Sequence, residues 1–264
     1  MVQRNLSNAT KGLNKAIEQL TTGYKINSAK DDPANYAMMK NMESKLSAWS
    51  VASDNISIGH NMLETADSNA ELIANHVTRI RDLCSQAANG TYGEASIRAI
   101  KAEIAARVDE INRIKECAEF NDIKLFGEYD SEGNVIPKNI NIQIGIDGSE
   151  HSRISVDTTI DLKEISEIEN WDITDSTCLD KIDNILDKIS AYQVKIGAVE
   201  NRLDCALELA EINSRNLTSS ISTIRDADIA KVSSDYIKYQ ILQQACATLL
   251  ATANQMPAMA LQLL

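Results

Sequence analysis

The chain has 264 residues, 44 % of them hydrophobic but 4 % aromatic, and a formal net charge of −12 at pH 7. That charge, with no Lys/Arg stripe interleaved with aromatics, excludes a nucleic-acid binder, because neutralising phosphates needs a basic face. No run reaches the ~18 apolar residues of a membrane span, and Met1-Val2-Gln3-Arg4-Asn5 lacks the apolar stretch of a secretory signal, so composition by itself implies no membrane insertion and a cytoplasmic location.

Few aromatics, and glycine and proline absent from 60–89, 94–126 and 198–256, predict long helices in a rod. A first helix is expected over about 3–22, with Leu6, Ala9, Leu13, Ala16 and Leu20 on one face and Gly23 placed to end it in a left-handed conformation. Asp32 then stands where it can cap a second helix whose first residue is Pro33. Met42, Leu46, Trp49, Ile56, Leu63, Ile73, Val77, Ile80 and Cys84 carry that helix to about residue 88 at three- and four-residue steps. Asn89-Gly90-Thr91-Tyr92-Gly93 is a turn. Ile97, Ile100, Ile104, Val108, Ile111 and Ile114 predict a third helix over 94–118, folded back antiparallel on the second.

The period then changes to two. Ile140, Ile142, Ile144 and Ile146 alternate with polar residues, Asp147-Gly148 turns, and Ile154-Ser155-Val156 follows, which predicts a β-hairpin over about 139–157 with one apolar face. Ten acidic residues against three lysines between Asp157 and Lys188 read as a solvated connector. From about 178 a return helix keeps Ile185, Ile189, Tyr192, Ile196, Val199, Leu203, Ala206, Ala210, Asn213, Leu217, Ser220 and Ile224 on an a/d seam, the pattern of one strand of a left-handed coiled coil. Apolar residues continue through Ile241, Leu242, Leu249 and Leu250. The fold class is therefore mainly α, a long antiparallel coiled-coil rod pairing N- and C-terminal helices, with a small hairpin near the middle. Its apolar ends need helix partners, and the self-assembly seam is assigned to Leu6, Leu13, Leu20, Ile185, Ile189, Ile196, Val199, Leu203, Leu217, Ile224, Ile241, Leu242, Leu249 and Leu250. Cys84, Cys117, Cys178, Cys205 and Cys246 form no C-x-x-C pair and read as small buried hydrophobes.

Several motifs carry a resemblance. Glu18-Gln19-Leu20-Thr21-Thr22-Gly23-Tyr24-Lys25-Ile26-Asn27-Ser28-Ala29-Lys30-Asp31-Asp32 resembles the N-terminal signature of bacterial flagellins, and Ala88-Asn89-Gly90-Thr91 resembles their turn. Glu119-Phe120-Asn121-Asp122-Ile123-Lys124-Leu125 is similar to their Q-F-N-G-x-K-L segment. Gly197-Ala198-Val199-Glu200-Asn201-Arg202-Leu203, Ile224-Arg225-Asp226-Ala227-Asp228-Ile229-Ala230, Gln240-Ile241-Leu242-Gln243-Gln244-Ala245 and Ala253-Asn254-Gln255-Met256-Pro257 keep the family's order and spacing.

The resemblance implies a structural subunit that polymerises helically into the flagellar filament for swimming, exported unfolded by the flagellar type III apparatus, which replaces the cytoplasmic expectation with an extracellular one. It divides the chain into a terminal helix and connector (1–30), a rod domain (31–224) and a C-terminal inner-tube helix (225–264). It implies as partners other copies of the chain, an export chaperone on the C-terminal helix, the filament cap and hook-associated proteins. It also implies a surface for Toll-like receptor 5 at Arg79, Ile80, Arg81, Asp82, Leu83 and Gln86, with Glu103 on the facing helix. Three departures stand out: about twenty family residues are expected before Met1, Pro33-Ala34-Asn35 replaces A-A-G after Asp31-Asp32, and 157–180 is too short for a variable outer domain, which implies a thin, smooth filament. Rival readings are a hook–filament junction protein and a non-polymerising flagellin-like receptor ligand. No enzyme is expected: His60, His76 and His151 make no H-E-x-x-H pattern, and neither a nucleophile elbow nor a glycine-rich phosphate loop is present, so no catalytic, metal or cofactor residue is assigned.

Overall fold

The computed structural model describes residues 1–129, 135–136, 139–168, 171–175 and 177–262. Its helices are α1 (Val2–Thr22), α2 (Pro33–Ala87), α3 (Glu94–Cys117), α4 (Lys163–Glu167), α5 (Thr177–Arg225) and α6 (Ile229–Gln262). Among the described residues between α3 and α4 lie three two-stranded antiparallel ribbons: β1 (Glu119–Phe120) with β2 (Ile123–Lys124), β3 (Glu128–Tyr129) with β4 (Val135–Ile136), and β5 (Asn139–Gln143) with β6 (Arg153–Asp157). The chain divides into two units, Met1–Ser47 with Asn213–Leu264, and Ala48–Ile212.

In the first unit α1 stops because Gly23 takes φ 76°, a left-handed conformation that costs a residue without Cβ little, and its amide donates to the Gln19 carbonyl at 2.9 Å. The chain then meets the break between α5 and α6: the Lys25 amide donates to the Arg225 carbonyl and the Ala227 amide to the Gly23 carbonyl. α2 begins as its sequence dictates. Asp32 accepts from the Asn35 amide at 3.1 Å and from the Asn35 side chain at 2.7 Å, and these two bonds hold its carboxyl below the usual range; Pro33 is the first helical residue. α6 starts in the same way, Asp228 accepting from the Lys231 amide at 3.1 Å.

The second unit holds the larger core. Ile56, Leu63, Ile73, Val77 and Ile80 of α2 pack with Ile104, Val108 and Ile111 of α3 and with Ile182, Ile185, Ile189 and Ile196 of α5. Ion pairs bridge the packed helices: Arg79 meets Glu103 at 3.1 Å, and Arg81 donates to both oxygens of Asp183 at 2.5 and 3.2 Å. The β5–β6 ribbon pairs Ile140 with Val156 and Ile142 with Ile154, and its buried face lies against α2. It gets that close because residue 59 is glycine; a Cβ there would stand 2.7 Å from Ile142 Cδ1.

Two sequence expectations change here. The strand carrying Ile140 and Ile142 ends at Gln143, before Ile144 and Ile146; the Ile144 and Gly145 amides instead donate to the Ser152 carbonyl around a loop gathered by Asp147. The acidic stretch after Asp157 is not merely solvated. Ile160, Leu162, Ile165, Ile168 and Ile173 are buried in the core while the acidic side chains between them are mostly exposed. The apolar spacing was present in the sequence, hidden by its charge.

Candidate assembly surface

α1 and α6 lie antiparallel, Thr10 accepting from Gln243 at 3.3 Å while Gly12 lies against Tyr239. A Cβ on Gly12 would stand 2.6 Å from the Tyr239 ring, so the missing side chain sets how near the two helices come. What the pair buries is small: Ala9 and Ala16 from α1, with Val232 and Cys246 from α6. Ile17 of α1 and Ile229, Ile237, Ile241, Leu242 and Leu249 of α6 are exposed, Ile241 by 59 %. A helix that is apolar on more than one face is stable where it is surrounded, and α1 surrounds α6 on one side alone.

The residues assigned to the seam fall into three environments. Ile185, Ile189, Ile196 and Leu203 are buried within the second unit, with Val199 half-buried beside them, so their faces are occupied by the subunit itself. Leu6, Leu13, Leu20, Leu217, Ile224 and Leu250 are half-buried. Ile241, Leu242 and Leu249 are exposed and free to meet another molecule. Two features of this kind lie outside the seam that the a/d periodicity marks. Ile229 and Ile237 belong with the exposed set, and Val51, Ile58 and Leu72 form an outward row on α2 whose spacing in multiples of seven was legible from the start.

The second assigned surface spans α2 and α3. Arg79 is exposed and paired with the half-buried Glu103, Asp82 is exposed, and exposed Gln86 donates to the Tyr92 hydroxyl at 2.9 Å. Leu83 lies beneath them, 2 % exposed, as part of the core. Arg81 faces α5, where its hydrogen bonds to Asp183 hold that carboxyl below its usual range. The histidines are scattered: His76 contacts Arg107, and His60 stands 3.9 Å from Asp204. Among the described residues no group of three His, Cys, Asp or Glu side chains could hold a metal ion, and no helix is long and apolar enough to cross a membrane.

Comparison with known proteins identifies this arrangement. The family model for the bacterial flagellin N-terminal helical region matches residues 1–131, and that for the bacterial flagellin C-terminal helical region matches residues 179–264. A flagellin of Halalkalibacterium halodurans is 33 % identical over 255 residues, covering 95 % of this chain and 91 % of its own. The flagellar filament 33 kDa core protein of Treponema phagedenis is 30 % identical over 273 residues, covering 99 % and 96 %. A solved structure of a Vibrio parahaemolyticus protein described as a flagellar hook-associated protein aligns over 74 % of this chain and all of its own with a TM-score of 0.58; at 15 % identity that likeness is one of fold alone. With both terminal helical regions matched and a third of its residues shared with a flagellin along nearly the whole length, the chain belongs to the bacterial flagellin family.

Proposed function

We propose that the chain is the structural subunit of a bacterial flagellar filament and that α1 and α6 carry the contacts between copies. The observation that supports this most directly is the exposed apolar surface of α6, at Ile229, Ile237, Ile241, Leu242 and Leu249, which a single subunit leaves in water. A surface repeated identically on each copy and meeting a different patch on the next generates an open helical array, the symmetry of a filament. The terminal segments 1–30 and 225–264 then form the inner tube, and burial there arrives on assembly.

The same reading brings export of the unfolded chain through the flagellar type III apparatus, an extracellular place in the flagellum, a role in swimming, and no enzymatic activity. The exposed stripe of α6 needs cover before export, which suits a chaperone holding 225–264; the filament cap and hook-associated proteins meet the same ends later. Arg79, Asp82, Gln86 and Glu103 form the surface we assign to Toll-like receptor 5, with Leu83 supporting it from below.

The test is assembly. Purified chain, dissociated by heat and returned to ammonium sulfate with filament seeds, gives filaments in negative-stain electron microscopy. Ile241→Asp keeps the monomer's melting temperature, because that side chain is already in water, and abolishes filaments, because a charge at a desolvated contact costs several kcal/mol. Wild-type chain that stays monomeric under these conditions, or an Ile241→Asp chain that polymerises as well as wild type, overturns the assignment.

A further inference from the structure

Two of the five cysteines, distant in sequence, lie side by side. Cys84, one turn from the end of α2, and Cys178, the second residue of α5, are 1 % and 2 % exposed, and the Cys178 thiol donates to Cys84 Sγ at 3.5 Å. Both belong to the second unit, and both sit at helix ends, where the backbone gives more readily than mid-helix. A disulfide needs a sulfur separation of about 2.05 Å, so the two atoms must close by roughly 1.5 Å. Cys117 and Cys205 are exposed, and Cys246 belongs to the other unit. We propose that Cys84 and Cys178 are a disulfide-forming pair, a covalent modification site that ties the end of α2 to the start of α5 when the chain folds in contact with a small-molecule disulfide. This goes beyond the filament reading and does not rest on it.

The timing follows from burial. Burial pushes the Cys84 thiol up to about 12 and raises that of Cys178, so in the folded, reduced unit neither is ionised near neutrality and neither is open to an oxidant. Exchange therefore belongs to the unfolded or folding chain. The thiolate of one cysteine attacks a sulfur of oxidised glutathione; a protein–glutathione disulfide forms, and one glutathione thiolate leaves and takes up a proton. As α2 and α5 dock, the second cysteine, still ionisable, attacks the protein sulfur of that mixed disulfide. The Sγ–Sγ bond forms, the bond to glutathione breaks, and the second glutathione leaves with the second proton. Two protein thiols lose two electrons in all, and one small disulfide becomes two thiols. The linkage closes a loop across 94 residues, long enough that restricting the unfolded chain raises the unfolding midpoint.

The experiment refolds the denatured, reduced full chain with oxidised glutathione, alkylates free thiols with iodoacetamide and maps the digest by mass. The expected product is one linked peptide pair, Cys84 with Cys178, 2 Da lighter than the sum of its reduced halves, with the remaining cysteines alkylated or glutathionylated. A Cys117→Ser/Cys205→Ser/Cys246→Ser variant keeps the linkage and melts at least about 5 °C higher oxidised than reduced. Cys84→Ser and Cys178→Ser each lose the linked pair. Recovery of Cys84 and Cys178 as separate alkylated peptides, linkage scattered over other pairs, or an oxidised triple variant that melts no higher than the reduced one overturns the proposal. Because every readout concerns the monomer, failure here leaves the filament reading untouched, and failure to polymerise leaves this one standing.

Discussion

Asn121 and Asp122 join β1 to β2 through two successive left-handed residues, φ 48° and 62°. That is the backbone of a two-residue hairpin turn, where glycine is favoured and a side chain costs free energy. Asp122→Gly should raise the stability of the second unit by about 0.5–1 kcal/mol, measured by urea unfolding, since the native conformation already suits glycine. Asp147 supplies a prediction in pH. Hydrogen bonds from the Ser149 and Ser152 hydroxyls and the Ser149 amide pull its carboxyl from 3.8 down to about 2. A carboxyl depressed in the folded state contributes stability above pH 3.8 and loses it progressively as pH falls towards 2. The difference in melting temperature between wild type and Asp147→Ala is therefore constant near neutrality and narrows across that window. Residues acting through their immediate neighbours, such as Asp32, Pro33 and Gly23, were legible because caps need no tertiary information. Asp147-Gly148 has the sequence of a tight turn, yet Asp147's partner Ser152 is brought near by a longer loop that strand register decides.

Among the elements, α5 and α6 show the same apolar residue types in two circumstances. Leu203 of α5 is fully buried, and Ile241 of α6 is mostly in water. Leu203→Asp should cost about 3–5 kcal/mol and unfold the second unit at a lower midpoint even in the monomer, by buried charge without a partner. Ile241→Asp should leave that midpoint within about 0.5 kcal/mol of wild type. Circular dichroism melts of the two variants separate the folding seam from the assembly seam. Periodicity alone could not separate them, because a three-and-four-residue rhythm says that a face is to be covered and is silent on whether the cover comes from the same chain. The hairpin makes a related point. Gly59→Leu should destabilise by about 1–3 kcal/mol through overpacking against Ile142, an effect that a glycine in the middle of a helical pattern did not announce.

The two units differ greatly in what their described residues bury. The second unit buries large aliphatic side chains from three helices, a ribbon and the stretch after it. From α1 the first unit buries two alanines, which remove little apolar area from water. Native-state hydrogen exchange should therefore protect the backbone amides of α2 and α5 within Ala48–Ile212 longest, and those of α1 and α6 should exchange first in the monomer and become protected on polymerisation. Equal protection of both in the monomer would show that α1 and α6 are stable without neighbours.

By itself the sequence determined the long helices, the helix stop at Gly23, the helix start at Pro33 and the family, but not α4 or the two short ribbons before β5, because caps, long apolar periods and the motifs from Glu18 to Asp32 and from Gly197 to Pro257 are written in neighbouring residues. Tertiary structure alone decided which stretches of one continuous apolar rhythm are covered within the subunit and which stay open, that the acidic stretch after Asp157 contributes to the core, and that Cys84 lies beside Cys178. Each of these depends on contacts between residues far apart in the chain, and burial is a property of what surrounds a side chain, which its own sequence neighbours do not fix.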